Sequence, residues 1–102
     1  MENDVYQFMV VFKMPSVFTE IFTATIPNQR VKVNEFFNEG KLVSYAVSIE
    51  NSQAWAVFNA QSEAEALDFV KELPLSHFMR YEINPLTFMN LVTTRIPTFS
   101  VN

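Results

Sequence analysis

Apolar side chains return along this chain in two rhythms, and the switches between them mark its elements. Residues 5–13, "VYQFMVVFK", carry β-branched and aromatic types on both alternating faces and stop at Met14-Pro15, which predicts a first strand. From Ser16 to Glu39 the rhythm lengthens: Phe18, Ile21, Phe22 and Thr25, then Val33, Phe36 and Phe37, return at helical spacing. Pro27 removes an amide donor from that segment, so a kink or two abutting helices is expected there, with Gly40 as the C-terminal stop.

Residues 42–49, "LVSYAVSI", and 53–60, "QAWAVFNA", alternate around "ENS", the pattern of a hairpin. With Asn51 and Ser52 as the turn, one face sets Ile49 opposite Ala54, Val47 opposite Ala56 and Tyr45 opposite Phe58. The other face then sets Ser48 opposite Trp55, Ala46 opposite Val57 and Ser44 opposite Asn59. Next, "SEAEALDFVKELP" opens on a capping box of Ser62 and Glu65 and lines up Ala66, Phe69, Val70 and Leu73 on one helical stripe. A fourth strand is predicted from about Phe78 to Ile83, with Met79, Tyr81 and Ile83 on one side and Phe78, Arg80 and Glu82 on the other.

Strand, helix, strand, strand, helix, strand is the order of the split βαβ arrangement, an α+β, ferredoxin-like fold with an antiparallel sheet. Both helices of such a fold cover one sheet face, and Val43, Tyr45, Val47, Ile49, Ala54, Ala56, Phe58, Met79, Tyr81 and Ile83 are expected there. The opposite face collects Met9, Val11, Lys13, Ala46, Trp55 and Val57 with Gln7, Ser44, Ser48, Asn59, Arg80 and Glu82. That surface is too apolar for water and too polar for a dry core. A second sheet packed against it in a homodimer, enclosing a cleft with a few polar groups, satisfies both facts.

Composition agrees with a need for a partner copy. One domain of 102 residues buries only about 60–65% of its unfolded surface. Yet 49% of its residues are hydrophobic, with eleven Phe against one Gly, which is rich for a monomer. The net charge of −4, with Lys and Arg scattered over positions 13, 30, 32, 41, 71, 80 and 95, argues against nucleic acid as a partner. The absence of cysteine excludes disulfides and thiol catalysis, and a single histidine without an acidic cluster predicts no metal site. The N-terminal apolar run is too short and too β-prone for a signal or spanning helix, so no membrane partner and a cytoplasmic location are expected.

Three segments, "FKMP" at 12–15, "NEGKLVSYAVSIENSQAWAVFNAQSEAEAL" at 38–67 and "LPLSHFMRYEINPL" at 73–86, resemble the muconolactone delta-isomerase family of dimeric α+β barrel proteins. The resemblance implies a single domain over 1–102, a sheet-to-sheet homodimer or a higher assembly of such dimers, and a cofactor-free proton shift on a small anionic unsaturated lactone. Lys13, ahead of its Met-Pro turn, and Glu82, at a shared acidic position, carry over as catalytic candidates. The second strand departs from the family pattern. Where the family bears arginines, a histidine and tryptophans, this chain has Leu42, Val43, Ser44, Ala46 and Val47, and Arg80 adds one cation where the family tends to be acidic.

Each candidate has a structural reading beside the functional one. Lys13 and Arg80 can bind a carboxylate while Glu82 acts as base, or Arg80 and Glu82 can form ion pairs between subunits. Trp55, with Ser44, Ser48, Asn59 and Gln7, can line a ligand pocket or plug a dimer interface. His77 sits after a proline turn without an acidic partner, as a solvated loop histidine does. Tyr45 and Tyr81 belong to the core face. Residues 87–102 are apolar enough to dock on a partner subunit. Two classes remain open, a small cofactor-independent isomerase and a noncatalytic ligand-binding or assembly protein. A cofactor-free monooxygenase of the same superfamily covers the chain's segments less well.

Overall fold

The structure, a computed structural model, describes residues 4–91. Strand β1 (Tyr6–Lys13) leads to helix α1 (Glu20–Asn38), the hairpin of β2 (Leu42–Ser48) and β3 (Gln53–Ala60), helix α2 (Glu63–Glu72) and strand β4 (Arg80–Pro85). The four strands form one antiparallel sheet in the order β2-β3-β1-β4. This is the expected α+β, ferredoxin-like arrangement, with the first strand central and β2 and β4 at the edges.

Local chemistry sets the helix ends. Thr19 caps α1 by accepting a 3.1 Å hydrogen bond from the Phe22 amide. At the other end Gly40, at φ +75°, donates to the Phe37 carbonyl, and Lys41 donates to the Phe36 carbonyl. These two bonds make a Schellman stop, and the left-handed backbone it needs falls on the only glycine in the chain. Of the kink or two abutting helices expected at Pro27, the two helices do not occur: α1 runs through it as one helix. The buried stripe is Phe22, Gln29, Val33 and Phe36, so Ile21 and Phe37 fall beside it and are exposed. Ser62 caps α2 through the Glu65 amide, and the Glu65 carboxylate accepts from the Gln61 amide at 2.7 Å, one residue ahead of the usual capping-box donor.

The helices cover the face carrying Phe8, Val10, Phe12, Ala54, Ala56, Phe58 and Ala60, all buried. Phe36, Phe58 and Phe69 meet with ring centroids 5.7 to 6.0 Å apart, joining α1, β3 and α2 at one point. Each such pair adds about 0.5–1.5 kcal/mol beyond its buried area. Tyr45, Met79, Tyr81 and Ile83 pack against this core partly buried, as expected.

Three local predictions are corrected. The hairpin loop spans four residues, 49–52, because the Ser52 amide bonds the Ile49 carbonyl at 3.1 Å and Ser52 takes φ 53°. Val47 therefore faces Ala54 and Tyr45 faces Ala56, while Ser48 faces Gln53, Ala46 faces Trp55 and Ser44 faces Val57. A slip of two leaves every side chain on its predicted face, since the pleat repeats every two residues. Second, a bulge between Leu42 and Ser44 turns Leu42 into the core opposite Phe58, in place of Val43. Third, Pro74–Phe78 forms a 3-10 turn before β4. Phe78 consequently leaves the Arg80 side and packs edge-on against Phe22, 5.9 Å between centroids.

Candidate functional site

The uncovered sheet face is built as cross-strand rungs. Opposed residues give one rung of Ser48, Gln53, Lys13 and Arg80, and a second of Ala46, Trp55, Val11 and Glu82. The third is Ser44, Val57, Met9 and Asn84, and beyond it Gln7 pairs with Asn59. All predicted site residues thus share a face, yet they separate along it. Lys13 lies six residues from Gln7 on β1, roughly 20 Å at the rise of an extended strand.

Lys13, Arg80 and Glu82 are the residues the fold brings together. Lys13 and Arg80 are direct cross-strand partners, and Glu82 is one pleat further along β4, opposite Val11. With Val11 and Tyr81 they line a shallow recess of about 450 Å³. All three charged side chains are exposed in the protomer. Among the described residues, none of them lies within ion-pair distance of an opposite charge. Two cations and one carboxylate therefore face a common space without neutralising one another. Trp55, half-buried, is the cross-strand neighbour of Val11 on its other side and is not among the residues that line the recess.

The remaining candidates do other work in this protomer. The Ser48 hydroxyl accepts from the Asn51 amide at 3.2 Å and so closes the hairpin loop. The Asn59 side chain accepts a 3.2 Å bond from the Gln7 side-chain NH₂ and donates to the Gly40 carbonyl at 3.0 Å, tying β1 and β3 to the end of α1. Ser44 is exposed on edge strand β2 beside Val57, which is buried even though no helix covers it. His77 is exposed on the 3-10 turn, outside the recess.

Sequence reasoning missed Gln53, the rung neighbour of Lys13, and Asn84, whose side chain donates to the Met9 carbonyl at 3.2 Å. Continuing the alternation of Arg80 and Glu82 by one step would have found Asn84. It also missed a cavity of about 410 Å³ on the helix side, between the first half of α1, the hairpin and the 3-10 turn. Its polar element is the buried Gln29, which donates to the Tyr45 hydroxyl at 3.0 Å and accepts from the Leu75 amide at 2.9 Å. No local pattern announces a glutamine that bridges three elements.

Residues 92–102, where part of the expected partner-docking segment falls, lie outside the described residues; Phe88 and Leu91 ahead of them are exposed. Among the described residues no helix is long and apolar enough to cross a membrane. Comparison with curated proteins gives no match. The model of the family described as muconolactone delta-isomerase matches residues 6–89, a span that runs from the first strand past the last and takes in every rung of the uncovered face. With the strand order, the hairpin and the two-helix layer all inside that match, the chain belongs to the muconolactone delta-isomerase family.

Proposed function

We propose that this protein is a cofactor-independent isomerase of a small anionic unsaturated lactone or a related compound, working as a cytoplasmic, single-domain homodimer. The observation that carries the reading is the opposition of Lys13 and Arg80 with Glu82 one pleat away, unpaired around one recess. In the proposed reaction Glu82 takes a proton from one end of the substrate's conjugated system, the γ ring carbon in muconolactone or the ring carbon beside the carbonyl in its enol-lactone isomer. Electrons move into a dienolate, and the same proton returns at the far end of the conjugated system. Nothing is oxidised or reduced and no group leaves. Lys13 and Arg80 hold the substrate carboxylate and the negative charge that grows on the carbonyl oxygen. Trp55, beyond Val11, offers the face against which a flat ring rests.

An open recess shields such an intermediate poorly. Face-to-face packing of two sheets supplies the missing wall, and family membership together with the amphipathic rungs supports self-association. The test is proton NMR in heavy water with muconolactone and its enol-lactone isomer. Interconversion or exchange of the labile ring proton is expected, with Glu82→Gln lowering the rate by about 100-fold or more, the usual contribution of a positioned acid-base group. Unchanged turnover in that variant overturns the role of Glu82.

One observation favours a second reading, a noncatalytic ligand-binding or assembly protein on the same scaffold. Strand β2 contributes no charge to the uncovered face, and its Ser48 hydroxyl is engaged in the loop. A folded protein that neither converts nor exchanges these lactones selects this reading.

A further inference from the structure

The uncovered face changes in side-chain size from one margin to the other. Along β2 the column is Ser44, Ala46 and Ser48, small and uncharged. Along β4 it is Arg80, Glu82 and Asn84, long and polar. Between them β3 carries Gln53, Trp55 and Val57 beside Lys13, Val11 and Met9 of β1.

That gradient decides how two copies of the face can close on one another. A two-fold axis across the strands sets β2 on β2 and β4 on β4. Small side chains then oppose small ones over a void at one margin while long ones crowd at the other, against the close packing of protein interiors. A two-fold axis along the strands, between β3 and β1, sets each β2 on its partner's β4 and each β3 on its partner's β1. Rung for rung, Ala46 then meets Glu82 of the partner subunit, and Ser48 meets Arg80 of the partner subunit. Gln53 meets Lys13 of the partner subunit, and Trp55 meets Val11 of the partner subunit. Small lies against long, apolar against apolar, and no two like charges oppose.

We propose that each recess of Lys13, Arg80 and Glu82 is closed by strand β2 of a second copy, with the partner subunit's Ala46 and Ser48 as its roof, so that a dimer holds two composite sites. The recess of about 450 Å³ is open in one protomer. Small neutral side chains close it without filling it and without neutralising its charges. The inference rests on the homodimer of the reading above and adds its orientation and the residues that the partner contributes.

The chain has no cysteine, so single ones can be placed on it. Ala46→Cys and Glu82→Cys chains are treated with a short bis-maleimide, each alone and after co-refolding as an equal mixture. The mixture gives a covalent dimer carrying one chain of each kind, and neither chain alone does. Self-linking of either chain without the mixed product, as an axis across the strands requires, overturns the proposal. So does the absence of any link, whether the protein is dimeric or monomeric by light scattering. Charge gives a second reading. Within one chain Ala46 and Glu82 stand three strand spacings apart, roughly 14 Å, so a new charge at 46 meets Glu82 closely only across the dimer. At low salt Ala46→Glu dimerises at least about tenfold more weakly than Ala46→Lys, and the gap narrows in high salt. Adding Glu82→Gln to both removes the gap; a gap that survives it overturns the pairing. The lactone reaction is judged separately: mixed links without turnover sink the isomerase reading alone, and turnover with self-links sinks the orientation alone.

Discussion

The two faces of this sheet are made from the same four strands, yet they bury themselves by different means. On the helix side, alternate positions are Phe8, Val10, Phe12, Ala54, Ala56 and Phe58, all closed off by α1 and α2. On the other side the intervening positions mix Met9, Val11, Trp55 and Val57 with Lys13, Arg80, Glu82 and the neutral polar Gln7, Ser44, Ser48, Gln53, Asn59 and Asn84. The first face is finished within one chain. The second has its apolar content arranged around charges that are unpaired among the described residues, and in the proposed dimer another copy completes it. Small alanines at 54, 56 and 60 let the helices approach β3 closely, whereas Trp55 and Asn59 between them project where no helix stands.

Mutations can break the contrast. Phe58→Ala strikes the meeting point of three rings and is expected to cost about 3–5 kcal/mol in urea denaturation; a cost below about 1 kcal/mol would show that the aromatic cluster does not anchor the core. Trp55→Asp places a charge in the middle of the uncovered face. A dimer that uses this face loses about 2–4 kcal/mol of association, read as a halved mass by light scattering at fixed protein concentration, and an unchanged mass relocates the interface.

Gln29→Leu tests whether the helix-covered face depends on its single polar bridge as well as on its rings. It leaves the Leu75 amide and the Tyr45 hydroxyl without their partner and is expected to cost about 1–3 kcal/mol, again by denaturation. The smallest effect concerns Lys32, where Glu35 at 3.1 Å, followed by Glu72 at 3.4 Å, raises the lysine pKa above the ordinary 10.5 and ties α1 to α2. Because the folded-state value is the higher one, the contribution is fully present below 10.5 and disappears as pH climbs through the folded-state pKa. The stability difference between the native chain and Lys32→Met should therefore be level at lower pH and vanish at strongly alkaline pH. A difference that persists there would mean that the uncharged hydrocarbon stem of Lys32, and not its charge, supplies it.

The order of elements was legible because each carries a local signal: period-two runs in β1, β2 and β3, the Ser62–Glu65 cap, and Gly40 at the close of α1. Faces were legible for the same reason, since a slip of two residues in the hairpin register left them unchanged. The loop at 49–52, the bulge beside Val43 and the 3-10 turn at Pro74 were not. Each depends on which of several comparable backbone paths the packed neighbours select. Pro27 shows the converse, because burial of Phe22, Val33 and Phe36 on one side holds α1 together across a residue that discourages helix. Of the site, the gathering of Lys13, Arg80 and Glu82 followed from strand adjacency alone. The helix-side cavity did not, since Gln29, Tyr45 and Leu75 are brought together only by tertiary packing.

The bulge in β2 has a bearing on growth. A sheet with straight, bare margins invites further sheets to add sideways without end, and that route leads to fibres. Here one margin is twisted at Val43, and the other ends at Pro85, which has no amide proton to offer a newcomer. Sideways addition is discouraged at both margins, so in the proposed dimer the flat side is the route by which two copies join, and that pairing uses it up.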